Sequence, residues 1–375
     1  MFNTLQTFDT EYSADSVEWC PTKEFKDIFV CGTYQLTPDD EKNQGSPKDV
    51  EKRKRVGIIY LFRVIDEEEP KLDLLQKLNV AAVLDMKWAH VKSHNNRTLL
   101  GVVNSEGFLQ IYELVKEEEE ILLKLVSEIL VNPNGDNSVL ALSLDWSTGN
   151  RNQSDSVAFK ITVSDSLGTI SLFAIHGNEN KIERINSWQA HEFEAWITSF
   201  DYWDTNVVFT GGDDGKFLQF DTRLNPLEPV NVNKSHGAGV TSLHSNWKKQ
   251  FCLVSGSYDE NLRVWDTRKL RRPISELNVG GGIWRLKWDP YKAEHLLAAC
   301  MYNGFCIVDC ANLEEPKTVS EYKEHESIAY GCDWSYQRAK NDASEEECPV
   351  LVGTCSFYDH VLKLSSLNIK GLRTT

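Results

Sequence analysis

Basic residues are in short supply in this chain. Its 375 residues hold 40 Lys and Arg against 56 Asp and Glu, a formal net charge of −16. Binding a phosphate backbone needs clustered cations, so no nucleic-acid partner is expected. The one dense basic cluster, Lys52-Arg53-Lys54-Arg55, lies beside Asp49 and Glu51 and reads as a solvated loop edge. No apolar run approaches the length that spans a bilayer, so no membrane span is expected. The first residues, MFNTLQTFDTEYSADS, lack a basic start and an apolar stretch and do not resemble a secretion signal. Nine cysteines occur, an odd number, with no CxxC pair. Buried, reduced thiols in a reducing, cytoplasmic setting are therefore expected, with no bound metal. GxSxG, HExxH and GxxxxGK[ST] motifs are all missing, and GGGIW at 280–284 is a poor match to a dinucleotide loop. No long helical pattern is evident, which argues against a doubly wound methyl-donor fold; no cofactor is expected.

What the chain does have is a unit written twice. His191 to Arg223 contains AHEFEAWITSFDYW and VVFTGGDDGKFLQFDTR; His236 to Arg268 contains SHGAGVTSLHSNW and CLVSGSYDENLRVWDTR. Each has a His before an apolar strand, a Gly-bearing second strand, a turn Asp and an aromatic-Asp pair closing a third strand. The offset is about 45 residues, the period of WD40 repeats. One such unit cannot bury its apolar face alone, so others must exist.

They do. First strands ending Val17-Glu18-Trp19, Met86-Lys87-Trp88, Leu144-Asp145-Trp146, Phe200-Asp201-Tyr202, Leu243-His244-Ser245, Leu286-Lys287-Trp288 and Cys332-Asp333-Trp334 make seven. Each precedes a second and third strand of alternating apolar and β-branched residues. Tight turns fall at Glu106-Gly107, Leu167-Gly168, Asp214-Gly215 and Asn303-Gly304. The predicted fold is all-β: a single seven-bladed WD40 β-propeller over residues 1–375. The spare strand LQTFDT, residues 5–10, should close the last blade as its outer strand and so remove an open edge. Residues 38–55 are polar and charged and read as a mobile loop within the first blade. Residues 148–156 and 337–348 interrupt the third and seventh blades between first and second strands. Glu117–Glu120 reads as a solvated connection between the second and third blades.

His236, Ser255, Asp259 and Trp265 fit a hydrogen-bond relay holding a blade together. His191, Thr210 and Asp214 fit the same positions, but Phe220 replaces the Trp, which leaves more room for chemistry at His191. Function in a propeller concentrates at one rim and around the central channel. In register, Asp15, Leu84, Leu142, Thr198, Thr241, Trp284 and Tyr330 stand at the channel entrance. Preceding loops add Glu192, Glu194, Trp196, His325 and Glu326. Trp196, Trp284 and Tyr330 either form a ligand pocket or plug the channel. On spacing alone the chain reads as a non-enzymatic adaptor.

More specific residues shift that conclusion. DTEYSADSVEWCP with CGTYQL, LDMKW, ALSLDWSTG, SWQAHEFEAWI with GGDDG, GSYDE with WDTR, GGGIWRLKWDP, LLAACM and YGCDWS are spread over every blade. Over about residues 5–360 the chain resembles the WD-repeat diphthine methyl ester hydrolases of diphthamide biosynthesis, also called diphthine methyltransferases. The resemblance implies an esterase that removes the methyl ester from methylated diphthine on translation elongation factor 2, releasing methanol. That substrate carries a trimethylammonium group, which aromatic faces with a nearby acid would hold. The expected binding set is Trp196, Trp284 and Tyr330, with Asp15 or Glu194. His191, or alternatively His325, with Glu192 would activate water. Cys300 and Cys332 are possible nucleophiles, though their strand positions favour buried, inert thiols. The alternative remains a scaffold for protein assembly.

Overall fold

The computed structural model describes residues 2–37, 54–65, 70–93, 95–150, 159–176, 181–225, 228–338 and 349–368. Seven four-stranded antiparallel sheets account for almost all of its regular structure. Their innermost strands are Ser13–Trp19, Val83–Trp88, Ala141–Trp146, Ile197–Phe200, Val240–Ser245, Arg285–Trp288 and Ala329–Arg338, in blade order. Among the described residues no helix is long and apolar enough to cross a membrane.

The expected closure is present. Phe2–Asp9 pairs antiparallel with Val361–Leu367, so the chain's first strand is the outer strand of the seventh blade. Phe2 stacks on Tyr322 of the sixth blade at 4.8 Å, and the Thr4 hydroxyl lies 2.6 Å from the Tyr322 hydroxyl. On the other side, Tyr60 of the first blade donates to the Thr10 carbonyl at 2.8 Å.

The Trp that ends most inner strands has a defined task. Trp88 Nε1 donates to the Glu18 carbonyl (3.0 Å), Trp146 to that of Lys87 (2.7 Å) and Trp334 to that of Lys287 (2.9 Å). Each bond runs to the inner strand of the preceding blade, so a bulky apolar ring fills the gap between sheets while its one polar atom is satisfied. Carboxylates repeat the device. Asp85 accepts from Leu144 N at 3.1 Å, Asp145 from Phe200 N at 2.8 Å and Asp333 from Trp19 N at 2.7 Å. The apolar clusters span adjacent blades, so the core is a ring of interfaces rather than one centre. Gly256 belongs to this packing: a Cβ there would lie 2.4 Å from Ile283 of the next blade.

All four predicted turn glycines have positive φ, +77° at Gly107, +81° at Gly168, +70° at Gly215 and +73° at Gly304. One connection is corrected. Glu117–Glu120 does not join the second and third blades; it is the hairpin inside the second, between Phe108–Glu117 and Glu120–Leu130. Glu118, at φ +51°, takes the left-handed conformation that a two-residue hairpin requires. The loop expected at 38–55 falls outside the described residues except for Lys54 and Arg55, and Arg55 already begins a strand.

Candidate functional site at the channel mouth

Register builds the mouth. In five blades the inner strand carries a β-bulge one residue in, between Ala14 and Ser16, Val83 and Asp85, Ala141 and Ser143, Val240 and Ser242, and Ala329 and Cys332. A bulge re-aims a side chain out of the alternating pattern. The residues it displaces include Asp15, Leu84, Leu142, Thr241 and Tyr330, all members of the expected ring.

Three of the predicted aromatics come together. Trp284 stacks on Tyr330 (ring centroids 4.5 Å, planes 29°) and meets Trp196 edge-on at 5.8 Å. Sequence reasoning missed two neighbours that head the turns after second strands. Tyr258 lies parallel to Trp284 at 6.2 Å, and Phe357 packs on Tyr330 at 4.9 Å. Their signal was present in GSYDE and CSFYD, one position past the second strand in both blades. Tyr34 extends the arc, 6.1 Å from Phe357. The aromatic crescent thus covers blades four to seven and reaches the first, while blades two and three contribute Leu84 and Leu142. None of Trp196, Tyr258, Trp284, Tyr330 and Phe357 is fully buried.

Carboxylates flank the crescent. Trp196 Nε1 donates to Asp213 Oδ1 at 3.0 Å, and Glu194 accepts the Asp213 amide at its carbonyl, 2.9 Å away. Burial, then the charges of Asp213 and Glu194, push the Tyr258 hydroxyl up, so it stays a neutral phenol. Asp15 is 3 % exposed and its Oδ1 has no protein partner among the described residues. Burial raises its carboxyl well above the usual range, Arg285 opposes the rise and Asp85 adds to it. Trp284 Nε1 is likewise buried and without a protein partner among the described residues.

Below the mouth the channel is a ladder of ion pairs. Arg285 meets Asp85 at 3.2 Å, Lys87 meets Asp145 at 3.8 Å and Lys287 meets Glu18. A cavity lies at the far end, where inner strands exit, lined by Trp88, Trp247, Trp288, His244 and the two lysines. Its lysines are already paired.

The expected water activators are placed differently. His191 is fully buried, with Nδ1 2.9 Å from Asp214 Oδ1 and Nε2 2.8 Å from Thr210 Oγ1. His236 makes the same relay with Asp259 (3.0 Å) and Ser255 (2.7 Å), and Trp265 completes it at 2.8 Å from Ser255. His325 holds a variant of the relay in which a hydroxyl replaces the turn carboxylate, its Nε2 2.9 Å from Thr354 and its Nδ1 2.5 Å from Ser356. Both ring nitrogens of His191 and of His325 are bonded within their own blades, and we propose a structural role for each. Glu192 is exposed and accepts from Lys216 at 2.7 Å, a surface ion pair. The eight cysteines among the described residues are buried and free. Burial pushes the Cys332 thiol up, and Cys300 is raised by its neighbour Cys306 and by burial, so neither is a ready thiolate. Among the described residues no cluster of His, Cys, Asp and Glu is suited to a metal ion.

The fold and the mouth define a WD-repeat propeller with an aromatic rim on its central channel. The family model described as WD domain, G-beta repeat matches residues 227–266, which contain most of the more regular unit. A chain in the crystal structure of a mitotic checkpoint complex superposes with a TM-score of 0.65 at 13 % identity, over 96 % of this chain and 93 % of that one, a likeness of fold alone. Diphthine methyltransferase of Homo sapiens is 38 % identical over 343 residues, 88 % of this chain and 74 % of that protein. The diphthine methyltransferase homolog of Dictyostelium discoideum is 36 % identical over 387 residues, 94 % of this chain and 96 % of its own. The chain belongs to the diphthine methyltransferase family.

Proposed function

We propose that this chain is an enzyme of diphthamide biosynthesis that removes the methyl ester from methylated diphthine on elongation factor 2, in the cytoplasm. The aromatic mouth carries this reading. Trp196, Tyr258, Trp284 and Tyr330 form one aromatic cluster beside Asp213 and Glu194, the residue types that hold a quaternary ammonium group. The ester end of the same side chain would then reach past the rim toward Asp15 and Arg285. The relatives are named for methyl transfer; a cation pocket leading to a buried carboxylate and guanidinium suits ester hydrolysis, with water as acceptor and methanol as product. No cofactor is invoked. A protein adaptor is less well served, since a docking rim has no need of a buried, unpaired carboxylate.

The test is direct. Purified protein is incubated with elongation factor 2 bearing methylated diphthine, and intact mass and methanol are measured. A mass loss of one CH₂ with matching methanol is expected. An unchanged mass at stoichiometric protein would refute the assignment.

A further inference from the structure

We infer that Asp15 is the general base of this site and that Arg285 is its positioning partner. The inference rests on the esterase reading above and names the group that reading leaves open. Three observations carry it. Asp15 sits at the displaced position of a β-bulge, between Ala14 paired with Thr33 and Ser16 paired with Gly32, so its carboxylate leaves the sheet's regular alternation. It is the sole acid in the ring of seven entrance residues, and Oδ1 is buried with no protein partner among the described residues. The neighbouring rim residue Trp284 offers a buried, unpartnered N–H. A buried polar atom without a partner is rare in a native protein and needs a reason. Here an unpaired acceptor and an unpaired donor share one neighbour, Tyr330, whose ring stacks on Trp284 at 4.5 Å and whose hydroxyl feels the Asp15 charge. A water accepting from one side and donating to the other is what such a pair is suited to hold.

The groups facing Asp15 decide its charge. Arg285 from the sixth blade favours the carboxylate, while Asp85 from the second opposes it. Tyr330 from the seventh blade is held as a neutral phenol, by burial and then by Asp15. Cys355 of the same blade is held as a thiol, by burial and more weakly by Asp15. Asp85, Glu18 and Asp15 together overcome burial and keep Arg285 charged. Burial makes Asp15 a stronger base than a solvated aspartate, and Arg285 opposes that rise.

The step balances without a further reactant. Asp15 takes one proton from water as the water oxygen bonds to the ester carbon and the carbonyl becomes an oxyanion. The carbon–methoxy bond then breaks, and the proton held on Asp15 goes to the leaving oxygen, giving methanol. The new carboxylic acid ionises to solvent, and Asp15 returns as carboxylate.

The experiment compares wild type, Asp15→Asn, Asp15→Ala and Arg285→Met on elongation factor 2 bearing methylated diphthine, with melting temperature as the check on folding. Asp15→Asn should lower kcat by about 100-fold or more with KM within about threefold, the signature of a lost general base. Asp15→Ala should regain part of its turnover on addition of formate, a small carboxylate that fills the gap. In wild type, kcat should rise with pH to a plateau, and Arg285→Met should move that rise to higher pH. A folded Asp15→Asn that turns over within tenfold of an active wild type would overturn the assignment of Asp15 alone. Loss of turnover with no formate rescue and an unmoved pH profile in Arg285→Met would overturn it too. An inactive wild type would instead overturn the esterase reading, and the assignment with it.

Discussion

The Trp284 indole lies against the Tyr330 ring, centroids 4.5 Å apart and planes inclined by 29°. Two residues from adjacent blades thereby make one aromatic wall, and Tyr258 lies near-parallel to the same indole at 6.2 Å. If the wall holds a trimethylammonium group, Trp284→Ala should raise KM by roughly 5- to 30-fold, the value of about 1–2 kcal/mol for a partly desolvated cation over an indole. Steady-state kinetics on the modified elongation factor measures this. An unaltered KM would mean the rings only pack the channel.

His191→Ala should now act on stability rather than turnover. The imidazole bridges Asp214 and Thr210 with both nitrogens, and its loss leaves two buried groups unsatisfied, at a cost of roughly 2–4 kcal/mol. Bonds from His191 and Lys216 outweigh burial and hold Asp214 at about 2, so the turn depends on them. Calorimetry should show a lowered melting temperature, while methanol release per folded molecule stays unchanged. Loss of turnover in a sample shown to be folded would return His191 to the catalytic set.

The blades were legible because their signals are local. Apolar alternation, turn glycines and the Trp closing each inner strand recur at fixed positions, and each has a near-neighbour cause. The mouth was legible in part. Trp196, Trp284 and Tyr330 were found by register, and Asp15 by its oddity as an acid at an entrance position. Tyr258 and Phe357 were missed because they come from turns after second strands, and only closure of the ring brings those turns beside the inner-strand entrances. The histidines were harder to read for a related reason. A relay His and a catalytic His look alike in sequence, and only the fold shows which partner each ring nitrogen takes. For His325 that partner, Thr354, lies 29 residues away.

His325 gives a pH dependence with a definite sign. Burial, then the nearby Lys363 charge, lower its pKa from the ordinary 6.5 to about 4. The fold rejects the protonated ring. Above about pH 6.5 both folded and unfolded forms are neutral, and the stability is fully present. Between 6.5 and 4 the unfolded chain gains a proton that the folded chain does not, so stability falls by up to about 3 kcal/mol. Denaturant melts of wild type and His325→Asn across this range should differ in slope, with the variant flatter. Parallel curves would show that His325 titrates normally in the fold.

Closure by the N-terminal strand makes the whole ring depend on residues near the start of the chain. Removing residues 1–9 would leave Val361–Leu367 as an open edge, with unpaired amides ready to join another chain. It would also strip Tyr322 of its stacking partner Phe2 and of the Thr4 hydroxyl. The truncated protein should therefore melt at lower temperature and aggregate, and amides in Val361–Leu367 should lose protection from hydrogen exchange. Smaller changes grade the effect. Thr4→Val should cost about 1 kcal/mol through one lost hydrogen bond. Phe2→Ala should cost more, since it loses the apolar area together with about 0.5–1.5 kcal/mol of ring pairing. Because the strand seals the seventh blade against the first, the damage should spread to Asp15, on the inner strand of the first blade, and lower turnover in the surviving folded fraction. A truncated chain that kept its melting temperature and its exchange protection would show that the ring is held shut by the inner-strand bonds, Trp19 N to Asp333 among them, without help from its outermost strand.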